Sequence, residues 1–196
     1  MAPEHPFDQA LQHVLTVAGI VGLVAADRRW GISGLSYCLI LAFMTLHVVG
    51  ARYLYSFVPY DAWFETLLGL NLSRQLGWER NHFDRFVHFA YGVLIGAVAY
   101  WFSRRRLELS ILWSAAFAVQ FILASGALYE LLEWGIAVVL APESAERYNG
   151  QQGDVWDPQK DMLLAALGAV MSIPVVAISD GRKRDSAAAG FPGRRK

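Results

Sequence analysis

Five long apolar blocks constrain this chain more than any other feature. They run approximately Phe7–Ala26, Leu35–Phe57, Asp84–Phe102, Ile111–Leu140 and Asp161–Ser179. About 20 apolar residues in helix span the roughly 30 Å hydrocarbon core of a bilayer, so each block is long enough to cross one. Irregular backbone cannot be satisfied in hydrocarbon, which leaves helices or a closed barrel. Blocks of this length read as helices. The composition agrees: 55% of the 196 residues are hydrophobic and only 17% are charged. A soluble domain of this size needs more polar surface than that. The expected fold is all-α, a polytopic bundle of five transmembrane helices. Residues 1–180 would form a single membrane domain, with 181–196 a basic, disordered cytoplasmic tail drawn to anionic lipid.

The formal net charge is zero, so no basic footprint for nucleic acid exists. The single cysteine, Cys38, excludes an intrachain disulfide framework and reads as a small buried hydrophobe. The first block is not expected to be a signal peptide, because its leader carries Glu4 and Asp8 and no Lys or Arg. It lacks a strong polar motif and is expected to be the most peripheral span.

Orientation follows from the basic residues. Arg28 and Arg29 follow the first span, Arg104–Arg106 the third, and Arg182, Lys183, Arg184, Arg194, Arg195 and Lys196 the fifth. Lys and Arg mark the cytoplasmic side. The N-terminus is therefore expected outside and the C-terminus inside an inner (cytoplasmic) membrane, with the bilayer as the first partner. The connection 58–83 holds Trp63, Phe64, Leu67, Leu68, Leu72, Leu76 and Trp78 at roughly helical spacing. It reads as a short amphipathic helix, N-capped by Asp61, in the outer interface or packed as a loop helix.

Ionisable residues inside spans are costly, and each is a functional hypothesis. At 1.5 Å per residue, His47 lies about 18 Å from the start of the second span, in its outer half. Asp84 and His88 occupy the outer entry of the third span. Glu130 and Glu133 fall about 28–33 Å from Ile111, at the outer end of the fourth. Asp161 opens the fifth. Asp84 and His88 are i, i+4, and Gly92 and Gly96 continue their stripe; Gly126 extends the face of Glu130 and Glu133; Ala165 and Gly168 extend that of Asp161. Small-residue stripes let helices approach closely, so these faces should turn toward the bundle.

Adjacent carboxylates repel unless a cation or shared protons compensate. Carboxylates and imidazoles on facing helices can hold a divalent metal, and a mixed O/N set suits zinc or manganese. Asp84, His88, Glu130, Glu133 and Asp161 are the candidate ligands. Asp84, His88, Glu133 and Asp161 are also the candidate catalytic groups, a spare carboxylate serving as general base. Arg52 and Arg85 could bind an anionic headgroup, with Asp154, Asp157, Gln159 and His47 as further substrate-binding groups. Three readings stay open: a metal-dependent enzyme acting on a lipid-linked or cell-envelope substrate, an ion or solute pathway, and a non-catalytic structural network. The apolar inner halves of spans three to five, Gln120 excepted, weigh against a pathway. Tyr53, Tyr55, Tyr129, Trp134 and Trp156 read as interface aromatics.

The segments Arg80-Asn81-His82-Phe83-Asp84-Arg85-Phe86-Val87-His88-Phe89, Tyr129-Glu130-Leu131-Leu132-Glu133-Trp134 and Gly150 through Met162 closely resemble the YjdF-like family of bacterial inner-membrane proteins. His47, Tyr53 and Val58-Pro59 look like the same family's preceding block. The likeness covers about residues 45–172. It departs at the N-terminus, which looks shorter than in a family where six spans are commonly predicted. A looser likeness to VanZ-like membrane proteins rests on Asp84/His88, Glu133 and Asp157/Asp161 followed by Gly168. It implies envelope biology on the outer face and no assigned reaction.

Overall fold

The computed structural model describes residues 5–140 and 148–189, with side chains described as far as Gly181. The described residues form helices and connections only. They are α1 (Pro6–Trp30), α2 (Gly34–Arg52), α3 (Tyr60–Leu68), α4 (Leu72–Leu76), α5 (Phe83–Arg106), α6 (Ile111–Val139) and α7 (Asp157–Ala189). Five of them, α1, α2, α5, α6 and α7 from Asp157 to Gly181, are long and apolar enough to cross a membrane.

Local chemistry sets the ends. Pro6 opens α1, where its missing N–H costs nothing, and Gly31 closes it at φ 64°. Ser33 and Ser110 cap α2 and α6 by accepting the backbone N–H of Ser36 and Trp113. α5 ends on Arg104, Arg105 and Arg106, which suit the negative end of the helix dipole.

The spans run up and down. The start of α1, the end of α2, the start of α5, the end of α6 and the start of α7 therefore share one end of the bundle, here the acidic end. At the opposite, basic end, Arg104 Nε bonds Asp180 at 3.0 Å, and Arg106 donates to the carbonyls of Trp30 and Gly31. α5 is the hub: it packs on α2, α6 and, most extensively, α7. Their core is built from small residues around a few large ones, with Ala97, Ala118, Ala165 and Ala169 enclosing Tyr100 and Ile122.

That contact is backbone against backbone. A Cβ at Gly92 would lie 1.9 Å from the carbonyl oxygen of Ala165, and one at Gly168 would lie 2.3 Å from that of Phe89. The stripes under Asp84 and Asp161 thus face each other across the tightest seam in the bundle, as their spacing implies.

Several local expectations change. α2 stops at Arg52, because Leu54 and Tyr55 take left-handed backbone (φ 50° and 54°) and turn the chain back. Asp61 does not cap α3, whose N-cap is Pro59; its carboxylate instead accepts the N–H of Ser73, tying α4 to α3. Cys38 is exposed on α2, since an apolar span has an outward face as well as a core face. α1 is the least buried span, yet its first turns are not apolar bystanders: Asp8 is 3% exposed and Gln12 is fully buried. Gln12 donates to the carbonyl of Tyr148 at 3.0 Å, and Gln9 to that of Arg52 at 2.9 Å. The last helix continues to Ala189, into the stretch expected as a tail; residues 190–196 of that expectation lie outside the described residues.

Candidate functional site

The acidic end is built in two layers. The upper layer is a clip between two connections. Arg80 grips Asp157 with both terminal nitrogens, Nη1 to Oδ1 at 2.7 Å and Nη2 to Oδ2 at 3.1 Å. The same guanidinium donates to the carbonyls of Gly150 and Gln151. Arg85 bonds Asp157 Oδ1 at 2.9 Å and Asp154 Oδ2 at 2.5 Å, and Lys160 also reaches Asp154. Asn81 and Gln152 then pair reciprocally: the Asn81 N–H donates to Gln152 Oε1, and Gln152 Nε2 donates to the Asn81 carbonyl. Bidentate, charge-assisted contacts of this kind fix geometry as well as energy.

Asp157 is 2% exposed, and both its oxygens are engaged. Asp154, Asp157 and Arg85, three of the expected substrate contacts, are therefore occupied with one another and with Arg80. Gln159 is exposed on the first turn of α7, and the Arg52 guanidinium lies 5.6 Å over the Tyr53 ring.

The Lys160 ammonium is the main cause that holds the Asp154 carboxyl down at about 2, with the Trp156 N–H and Arg85 assisting. A group depressed on folding contributes stability above its unfolded value, near 4, and loses it as pH falls through about 2. We expect a carboxyl-carbon NMR titration of Asp154 to show its midpoint near 2, and Lys160→Gln to raise it.

Beneath the clip lie the groups that it does not neutralise. Asp84, His88 and Asp161 each offer a ligand atom, and these atoms lie within 4.8 Å of one another. His88 Nε2 is 3.7 Å from Asp84 Oδ1 and 3.9 Å from Glu130 Oε1. Asp161 is 3% exposed and Glu130 9%. Asp161 Oδ1 and Glu130 Oε1 are buried without a hydrogen-bond partner among the described residues. Such atoms are costly, and each calls for an explanation. Glu133 lies about one turn beyond Glu130 on α6, and burial and then the Glu133 carboxylate push the Tyr148 hydroxyl up to about 12. Four of the five expected ligands thus lie within 4.8 Å of another member, and the fifth, Glu133, follows Glu130 by three residues on the same helix.

His47 joins from α2. A cavity of about 240 Å³ runs below the cluster, with Asp84, His88, His47, Tyr55 and Tyr129 at its polar side and Phe43, Met44 and Val87 among its apolar walls. Tyr55 and Tyr129 are therefore part of the site's wall, not interface aromatics. Trp134 and Trp156, 67% and 63% exposed, keep outward positions. Tyr55 OH meets His47 Nδ1 at 2.5 Å, and His47 Nε2 is buried without a partner.

The reversed turn after α2 makes the Tyr55–His47 contact possible. The Tyr55 ring folds onto Gly50, where a Cβ would lie 2.5 Å from Cε1. Left-handed backbone at two residues with side chains is strain that the surroundings must support. We expect Gly50→Ala to displace the ring, break the contact and cost about 1–3 kcal/mol, read as a lower unfolding midpoint.

Sequence reasoning passed over Arg80, Tyr148 and Gln12 as site residues and read Tyr55 as an interface aromatic. Arg80 stood in plain view beside Asn81, but its partner is 77 residues away. Gln12 and Tyr148 carried no signal.

Comparison with known proteins follows the same segments. The family described as "Predicted membrane protein (DUF2238)" matches residues 1–182. The chain is 34% identical over 156 residues to the inner membrane protein YjdF of Escherichia coli (strain K12), covering 79% of this chain and 70% of that one. No solved structure matches the chain. Five candidate spans and this relative make it a multi-pass protein of the bacterial inner membrane. The chain belongs to the DUF2238 family of membrane proteins and is similar to YjdF across most of its length.

Proposed function

We propose that the acidic end binds one divalent cation, zinc or manganese, and that this cation serves a small membrane enzyme acting on a lipid-linked or cell-envelope substrate. The observation that carries the reading is the triangle of Asp84, His88 and Asp161, with Asp161 Oδ1 and the neighbouring Glu130 Oε1 buried and unpartnered among the described residues. Two carboxylates and an imidazole within 4.8 Å suit a borderline metal. The nearest guanidinium groups, Arg80 and Arg85, are already paired with Asp154 and Asp157. The remaining carboxyls of Asp84, Glu130, Glu133 and Asp161 share a single imidazole, so a cation or bound protons must offset their repulsion.

In this reading Asp84, His88 and Asp161 hold the cation and Glu130 completes the set. Glu133, at the edge, is the carboxylate left to accept a proton from the attacking group. The clip above acts as a rigid lid. Arg85, Asp154 and Asp157 support the site from there, and His47 faces the substrate cavity. The apolar walls of that cavity favour a substrate with a hydrocarbon portion. The positive-inside rule supports a site on the outer face of the membrane.

Elemental analysis of chelator-free, detergent-purified protein tests the reading. Wild type should carry about one equivalent of transition metal, and Asp84→Asn, His88→Gln and Asp161→Asn should each lose at least about tenfold in affinity. Well-folded wild type that stays metal-free after incubation with zinc and manganese would leave the cluster as a proton-sharing structural network.

A further inference from the structure

The opposite end of the bundle contains a second, larger hollow. It measures about 530 Å³ and lies between the basic halves of α1, α2, α5 and α6. Trp30, Ile40, Phe102, Phe117 and Phe121 line it, and Arg105 and Arg106 stand on its border. It is distinct from the acidic cluster: on α5 it begins at Ile95, more than one turn beyond His88.

Its position is set by how loosely α1 is attached. α1 packs on α2, and sparsely, whereas α6 packs on α5 and α7. Between the α1–α2 hairpin and α6 the floor of α5 is left open. At the basic end, Arg106 alone among the arginines of α5 reaches the turn after α1, through the carbonyls of Trp30 and Gly31. The hollow is an open groove, and the sides of its apolar lining that face outward gain dispersion partners only from whatever fills it. In a bilayer the filler at hand is a hydrocarbon chain.

The charge at the mouth selects which chain. Arg105 is exposed and makes no ion pair among the described residues, and Arg106 lies one residue on. A guanidinium beside an apolar groove at the level of the headgroups complements a phosphate with a chain attached. We propose that this groove binds one anionic phospholipid of the leaflet at the basic end. The phosphate lies on Arg105 and Arg106 and one acyl chain fills the space between Trp30, Ile40 and Phe117. The lipid completes the packing that joins α1 to the rest of the bundle. The reading does not depend on the metal site.

The test is native mass spectrometry of detergent-purified protein, incubated with phosphatidylglycerol or with phosphatidylcholine of the same chains. One phosphatidylglycerol should be retained per chain, about fivefold more tightly than phosphatidylcholine. Arg105→Gln should remove that preference, while Arg29→Gln, which does not line the groove, should leave it intact. Ile40→Trp, which fills the groove, should expel the lipid. Arg106→Gln is a weaker variant because it also frees the turn after α1, so wild type and Arg105→Gln decide the matter. Equal retention of the two lipids overturns the proposal. So does a loss with Arg29→Gln as large as that with Arg105→Gln, which would mean diffuse attraction to a basic surface.

Discussion

Alanine at Gly92 or Gly168 should cost the bundle about 3 kcal/mol or more, and leucine should abolish the folded state. Most overpacked side chains find relief by moving another side chain. Here the clash is with main chain: the new Cβ at Gly92 meets the Ala165 carbonyl and the Ala169 nitrogen, and the one at Gly168 meets the Phe89 carbonyl and the Val93 nitrogen. Only separation of α5 from α7 relieves it. That separation opens the core around Tyr100 and Ile122 and pulls Asp161 away from Asp84 and His88. Gly22 and Gly135 are the controls. A Cβ at either meets nothing within 4 Å, so alanine there should be neutral or stabilise by up to about 1 kcal/mol, the intrinsic helix preference. Thermal unfolding in detergent, read side by side for the four variants, checks the contrast. Equal effects at all four sites would mean that the seam is not close-packed.

Arg80→Met should cost about 3 kcal/mol. The substitution leaves Asp157, 2% exposed, with one guanidinium in place of two, and strips the carbonyls of Gly150 and Gln151 of their donor. Most of the cost is the penalty of a buried, under-compensated carboxylate, not the loss of the pair itself. The double variant Arg80→Met/Asp157→Asn should therefore recover part of the stability. A double-mutant cycle on unfolding midpoints measures the coupling, expected at about 1–3 kcal/mol. A cycle that sums to zero would show that the clip is only a surface ion pair.

The spans were legible because apolar length in a bilayer is close to a sufficient cause of a helix. The shared end of Asp84, His88, Glu130, Glu133 and Asp161 was legible too, since rise per residue fixes depth. The seam could be read from Gly92 and Gly96 on α5 and from Ala165 and Gly168 on α7, each pair at roughly helical spacing. What stayed hidden depends on contacts between distant segments. Arg85 invites reading as a headgroup ligand until Asp154 and Asp157 are seen to occupy it. Tyr55 belongs to the site because a left-handed turn without glycine reverses the chain, and no residue type announces that. Cys38 was misread because apolar composition does not separate the core face of a span from its outward face. Asp61 looked like a cap, but Pro59 starts α3 and leaves the carboxylate for the next helix.

The α5–α7 seam also bears on how this protein is made. α5 and α6 reach the membrane before α7, so during synthesis there is an interval when Asp84, His88, Glu130 and Glu133 are present and Asp161 is not. In that interval the groove that will receive Ala165 and Gly168 is an open strip of bare main chain at Phe89, Gly92 and Val93. The polar cluster and the strip that seals it are thus finished in one event, the docking of α7. A ribosome-bound chain halted after α6 should need the insertion machinery to shield its carboxylates from lipid. Release of the chain from that machinery would coincide with assembly of the site.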